Sequence, residues 1–175
     1  MEVPDMKDGQ KKITTFAMVV RKGSIVAKVL HKHHRFDAAY QAKQLFVNEA
    51  QALKLVRGKP GFQQLKKTDW PILYTAYAGS RLKQKDVDRD VAAAQALKIL
   101  ERLRQAGVVH RDIRPDNLLW DGRRIVLIDF QWAFFAGSFF KSVDDAPGVL
   151  GGKYKSPHGF KDRYSMWATL RDIFG

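Results

Sequence analysis

Asp112, Asn117 and Asp129 are oxygen-bearing side chains at a spacing that can do chemistry. They sit in the stretch VVHRDIRPDNLLWDGRRIVLIDF, residues 108–130. Val108-Val109 is apolar and β-branched, which favours a short extended segment. His110-Arg111-Asp112 opens a polar loop, in which Pro115 fixes a backbone angle and cannot continue a helix. Asn117 closes the loop five positions after Asp112. Leu118-Leu119-Trp120 then reads as a strand, Asp121-Gly122 as a hairpin turn, and Ile125 to Ile128 as the returning strand, with Asp129 at its end. Such a hairpin brings Asp112, Asn117 and Asp129 near one place. Two carboxylates and an amide are donors of the type Mg²⁺ takes, usually together with substrate phosphates.

Other elements must present these groups to a substrate. Ile13 to Val20 reads as a strand, Arg21-Lys22-Gly23-Ser24 as a turn, and Ile25 to Leu30 as its partner, with Lys28 in the middle. His31-Lys32-His33-His34-Arg35 reads as a solvated basic turn rather than a metal site. Asp37 to Arg57 has helical spacing, with Asp37 as N-cap and Ala42, Leu45, Phe46, Leu53 and Val56 on one face. Glu49 falls near the centre of that face. A buried carboxylate needs a partner, and Lys28 is the candidate. Phe62 to Lys67 and Ile72 to Tyr77 read as two more strands around Asp69-Trp70-Pro71. Asp86 to Ala106 is the strongest helix. Its acidic start and basic end suit the helix dipole, and Ala93, Ala96, Leu97, Leu100 and Leu103 form the expected buried stripe.

The string HRDxxxxN, followed by an apolar strand and Asp-Phe, resembles the catalytic loop and metal-binding segment of the protein kinases. The resemblance covers residues 13–174 and implies an α+β, two-lobed fold. It predicts a small antiparallel N-lobe sheet with one helix (about 1–77), a hinge (about 78–84) and a reduced helical C-lobe (about 85–175), as one domain over 1–175. It implies ATP and Mg²⁺ as cofactors. Asp112 would be the catalytic base, and Asn117 and Asp129 the metal ligands. Lys28, set by Glu49, would position the α/β-phosphates, and Arg114 would sit near the transferred γ-phosphate. Val26-Ala27-Lys28 resembles the V-A-x-K pattern, with Ala27 packing on adenine. Thr75 would line the back of that pocket, the backbone near Ala76 and Ala78 would bond adenine, and Leu119 would form its floor. His110 and Asp162 would be architectural, with Asp162 anchoring the catalytic loop. Residues 131–154 would form the activation segment.

Four features depart from that pattern. No GxGxxG loop precedes Lys28. Gln131, not glycine, follows Asp129-Phe130, which disfavours a large flip of the segment. His158 follows Pro157 where the kinase motif has glutamate. Against that resemblance, the usual late helices are expected to be missing. The chain is similar in these respects to compact bacterial kinases, among them lipopolysaccharide core sugar kinases and RIO-type kinases.

Composition bounds the partners. The 175 residues carry a formal charge of +13 and no cysteine. Residues 1–67 hold 14 Lys+Arg against 5 Asp+Glu, an excess that suits an anionic partner such as a phosphate-rich glycolipid or a membrane surface. No apolar run approaches a membrane span, and the polar start lacks a signal-peptide core. The expected location is cytoplasmic, or peripheral at the inner membrane surface. The expected activity is transfer of the ATP γ-phosphate to a hydroxyl acceptor, as in Ser/Thr protein kinases. The alternatives are a lipopolysaccharide core sugar kinase and a pseudokinase binding module, with nucleic-acid binding resting on charge alone.

Overall fold

The computed structural model describes residues 7, 9–13, 17–30, 38–145 and 152–175, and of 38–41 the backbone only. The first unit is a five-stranded antiparallel sheet in the order β1-β2-β3-β5-β4. Its strands are β1 (Lys11–Ile13), β2 (Ala17–Lys22), β3 (Ile25–Leu30), β4 (Leu65–Asp69) and β5 (Ile72–Ala76). The single strand expected over 13–20 is two, because β1 ends at Ile13 and β2 begins at Ala17. The residues between, 14–16, lie outside the described residues, as do the basic run 31–35 and the expected cap Asp37.

The helix α1 (Ala38–Leu55) packs beside this sheet. Its inward stripe is Leu45, Asn48, Glu49, Ala52 and Leu53, continued by Val56 just past its end, all buried, at the i, i+3, i+4, i+7 spacing of one helical face. Phe46 and Ala50 join Leu30 of β3 and Leu73 of β5 in a small cluster that ties the helix to the sheet.

The strand expected at 62–67 starts at Leu65 instead. Phe62 turns away to bridge Leu127, and Gln63 N donates to Leu127 O at 3.1 Å. Its ring belongs to the central core, edge-on to Phe130.

A second, three-stranded sheet runs β6-β7-β8, from β6 (Ser80–Arg81), β7 (Leu118–Trp120) and β8 (Ile125–Leu127). The β7–β8 hairpin closes over Asp121, whose Oδ1 accepts from Arg123 N and Arg124 N.

The long helix α2 (Arg89–Gln105) starts three residues later than the sequence reading placed it. Asp88 is the cap that decides this, with its carboxylate accepting from Asp90 N and Val91 N. Gln84–Asp86 instead form a separate 3-10 turn. The buried stripe is Ala92, Ala96, Ile99 and Leu103, whereas Leu97 is 50% exposed. Ala96 and Leu103 are thus buried as expected and Leu100 packs against the core, while Ala92 and Ile99 take inward positions in place of Ala93 and Leu97. The final helix, α3 (Asp162–Phe174), contributes Met166 and Leu170 to that core.

Candidate active site

Two elements present Lys28. On β3 it faces α1, and its Nζ donates to Glu49 Oε2 at 2.7 Å and to Asp129 Oδ1 at 2.6 Å. Gln131 Oε1 lies 3.3 Å from the same nitrogen. One cation thus bridges the sheet, the helix and the end of the hairpin. Burial alone would lower the lysine pKa, but the charges of Asp129 and Glu49 outweigh it and raise it. The deeply buried Glu49 is pushed up to about 6 by desolvation, against the pull of Lys28. Asp129 is desolvated too, yet Lys28 holds it below the ordinary carboxylate range.

Strand alternation corrects one expected contact. Val26 pairs with Thr75 and Lys28 with Leu73, so these four share a face, while Ala27 pairs with Tyr74 on the other. Ala27 therefore points away from the lysine's side, and Val26 occupies the position expected of it. Thr75 is buried beside Val26, and its hydroxyl accepts from Gln63 Nε2 at 2.9 Å. Ala78 and Leu119 pack together with Val126 and Ile128.

The loop between Val109 and Leu118 is pinned from several sides. Asp162 accepts from His110 N at 2.7 Å and from Arg111 N at 3.0 Å. Its burial lifts it to about 6, against those two hydrogen bonds. The His110 ring accepts at Nδ1 from Asp112 N (3.3 Å), so Nε2 carries the proton and donates to Ile128 O (3.0 Å). Desolvation drops the imidazole to about 4, which keeps it neutral. Arg111 takes a left-handed φ of 69° and is buried. Its guanidinium donates to Trp132 O, Val143 O and Asp145 O and lies 3.9 Å from the centre of the Phe140 ring. Arg111 thereby fastens the segment after Asp129 to this loop.

Within the loop, Asn117 Nδ2 donates to Asp112 O at 2.8 Å and to Asp112 Oδ2 at 3.1 Å. Asn117 O accepts from Ile128 N, which sets Asn117 beside the residue preceding Asp129. Arg114 is 36% exposed, with Nε 3.8 Å from Asp112 Oδ2. The amide hydrogens of Asn117 are thus spent on Asp112, which leaves Oδ1 as the side-chain atom that would meet a cation. Asp129 uses Oδ1 for Lys28 and keeps a second oxygen. Among the described residues no group of three or more His, Cys, Asp or Glu side chains is placed to hold a metal. A one-carboxylate, one-amide set instead fits an ion that completes its shell with phosphate and water, as Mg²⁺ does.

A model of the APH phosphotransferase enzyme family matches residues 18–136. The chain belongs to that family. The match takes in Lys28, Glu49, Asp112, Asn117 and Asp129 but stops before Asp162. Among curated proteins, the chain is 34% identical over 90 residues to the probable serine/threonine-protein kinase BUD32 homolog of Archaeoglobus fulgidus. It is 32% identical over 82 residues to the serine/threonine-protein kinase dkf-2 of Caenorhabditis briggsae, and 35% over 83 to the serine/threonine-protein kinase PKH2 of Saccharomyces cerevisiae. These alignments take in 51%, 43% and 47% of this chain. They span 40%, 7% and 8% of the relatives' own lengths.

Sequence reasoning missed three participants. Asn48 stands at a core position of α1, where a polar group persists only if bonded. That placement was readable from the helical spacing. The Lys28 contact of Gln131 and the shared face of Val26 and Lys28 depend on the turn after Asp129 and on strand register.

Proposed function

We propose that the chain is an ATP- and Mg²⁺-dependent phosphotransferase that moves the γ-phosphate to a hydroxyl acceptor. The observation that carries this reading is Lys28 Nζ within hydrogen-bond distance of both Glu49 and Asp129. Lys28 binds the α/β-phosphates, and Glu49 orients it. Val26, Thr75 and Leu119 enclose the adenine, with the backbone near Ala76 and Ala78 bonding its edge. Asn117 and Asp129 hold Mg²⁺, which supplies charge neutralisation across the phosphate oxygens. Asp112 accepts the proton of the acceptor hydroxyl as the new P–O bond forms and the bond from Pγ to the β–γ bridging oxygen breaks. Arg114, permanently charged and partly exposed beside Asp112, stabilises the moving phosphoryl group.

The relatives' names favour a Ser/Thr protein acceptor. The charge excess of residues 1–67 favours the second reading, a phosphate-rich sugar or glycolipid acceptor at the cytoplasmic face of a membrane. No helix among the described residues is long and apolar enough to cross one. The test is transfer of labelled γ-phosphate from ATP into a cell lysate, with proteins and glycolipids separated afterwards. Label in protein supports the first reading, and label in glycolipid the second. Equal labelling by wild type and Asp112→Asn would sink both and leave a nucleotide-binding module.

A further inference from the structure

Asn48 neighbours Glu49 on α1 and is 1% exposed. Its side-chain nitrogen donates to Gln131 O at 3.1 Å and to Ala133 O at 2.8 Å. Its Oδ1 is buried without a hydrogen-bond partner. As a core filler this is a poor choice, since leucine has similar size and leaves no buried orphan oxygen. What asparagine provides, and leucine cannot, is two N–H donors aimed at one backbone segment.

That segment begins at Asp129, which adopts the left-handed conformation (φ 67°, ψ 67°) and leads into the 3-10 turn Phe130–Trp132. A non-glycine residue stays in that region only when its surroundings over-determine it. The turn itself contributes one bond, Ala133 N to Phe130 O. Asn48 grips the segment from outside at two carbonyls, Gln131 within the turn and Ala133 just past it. Gln131, buried as well, returns the connection by accepting from Lys28 at 3.3 Å. A closed circuit results: Lys28 to Glu49, along α1 to Asn48, across to Gln131, and back to Lys28. Asp129 sits inside it.

We propose that Asn48 and Gln131 form a clamp that fixes Asp129 against Lys28, making both of them positioning residues for phosphoryl transfer. The role in transfer rests on the reading of Asp129 as a metal ligand; the clamp itself does not. Without the clamp Asp129 relaxes from its left-handed conformation, and its carboxylate no longer faces the lysine. Glu49 and Asn48 are consecutive on one helix, so any shift of α1 moves the lysine's partner and the segment's anchor together.

Two readouts test the proposal on the full chain. The first is amide hydrogen exchange of residues 129–134 without nucleotide. Asn48→Leu and Asn48→Asp, the second retaining shape but no donors, are both expected to speed that exchange by about tenfold or more while α2 is unchanged. Unchanged exchange in either variant overturns the clamp. The second readout is the factor by which Mg²⁺ tightens ATP binding relative to EDTA. It is expected to fall by about 10-fold in Asn48→Leu, the scale for losing a residue that orients a metal ligand, with ATP affinity in EDTA preserved. Gln131→Met keeps the backbone bonds of Asn48 and is expected to lose about threefold in the same factor. It reports on the clamp even if position 48 tolerates no change. Faster exchange with an unaltered Mg²⁺ factor overturns the positioning role. A wild type whose ATP binding ignores Mg²⁺ overturns the metal reading, while exchange still decides the clamp.

Discussion

Lys28 Nζ lies 2.6 Å from Asp129 Oδ1, across 101 positions of sequence. The contact joins the five-stranded sheet to the end of the β7–β8 hairpin, and Glu49 meets the same nitrogen from α1. Removing the cation leaves two carboxylates facing each other in a poorly solvated place. Lys28→Met should therefore lose phosphoryl transfer by about 100-fold or more. It should also lose about 3 kcal/mol of stability, at the low end for breaking a buried pair because Glu49 can take up a proton. The stability loss should shrink below pH 6, where that proton is more readily bound. Urea melts at pH 5.5 and pH 8 give the comparison. An equal loss at both values would mean that the two carboxylates do not repel through this site.

Asn117 Nδ2 donates to both the carbonyl and the carboxylate of Asp112. Asp112→Asn keeps the side-chain size and the loop. Single-turnover transfer should fall by about 10²–10⁴-fold, the range for losing a general base. ATP affinity in a direct titration should stay within about twofold. A parallel loss of binding would assign Asp112 to the nucleotide instead of the acceptor hydroxyl.

Lys28, Glu49 and the β7–β8 hairpin were legible in the sequence because each is set by local periodicity plus a partner requirement. A lysine in an apolar strand and a glutamate on an apolar helical face each call for a counter-charge. Ala27 shows where such reading is fragile: with a side-chain period of two, an error of one residue exchanges the faces of the sheet, and Val26 takes the inward place. On α2 the expected Ala96 and Leu103 are buried, but Leu97 is half exposed and Ala92 is inward, because close approach to the core selects the smaller side chain. Asn48 stayed hidden for another reason. Its acceptors lie 83 and 85 residues away, and they are backbone carbonyls, which carry no side-chain signature. The left-handed conformation of Asp129 belongs to the same class, a local cost sustained by distant bonds.

Two buried groups at the loop between Val109 and Leu118 titrate with opposite consequences. Asp162 has a pKa of about 6 in the fold against an ordinary 3.8. The native state therefore holds the extra proton between those values, and this contribution to stability is lost as pH rises through 6. His110 is lowered to about 4 from 6.5. There the unfolded chain holds the extra proton, and stability falls as pH drops below 6.5. Over roughly pH 4–6 the two slopes oppose each other. Asp162→Asn removes only the first, so wild type should gain stability relative to this variant as pH falls from 6 to 4. His110→Phe should show the reverse difference: wild type should lose stability relative to this variant as pH falls from 6.5 to 4. Urea midpoints at pH 4.5, 5.5 and 7.5 for the three proteins decide it. A pH-independent gap between wild type and Asp162→Asn would show that Asp162 stays ionised throughout.

Gly79 lies where the first sheet passes into the second, next to Ala78, and has a φ of 97°. A Cβ there would collide with the Trp120 carbonyl and come within 2.8 Å of Asp121 Cα. Those are backbone atoms of β7 and its turn, and Ser80 pairs directly with Trp120, so neither side can give way without breaking the β6–β7 pairing. Gly79→Ala should cost about 2–4 kcal/mol. It should also weaken ATP binding by about tenfold, because Ala78 and Leu119 would separate. Gly107→Ala supplies the control. Gly107 has a φ of 65°, but nothing lies within 4 Å of its added Cβ. Its cost should be about 1 kcal/mol, from the backbone conformation alone, with ATP binding unchanged. Equal losses in the two variants would mean that strain in φ, rather than the close approach of the two segments, is what requires glycine at position 79.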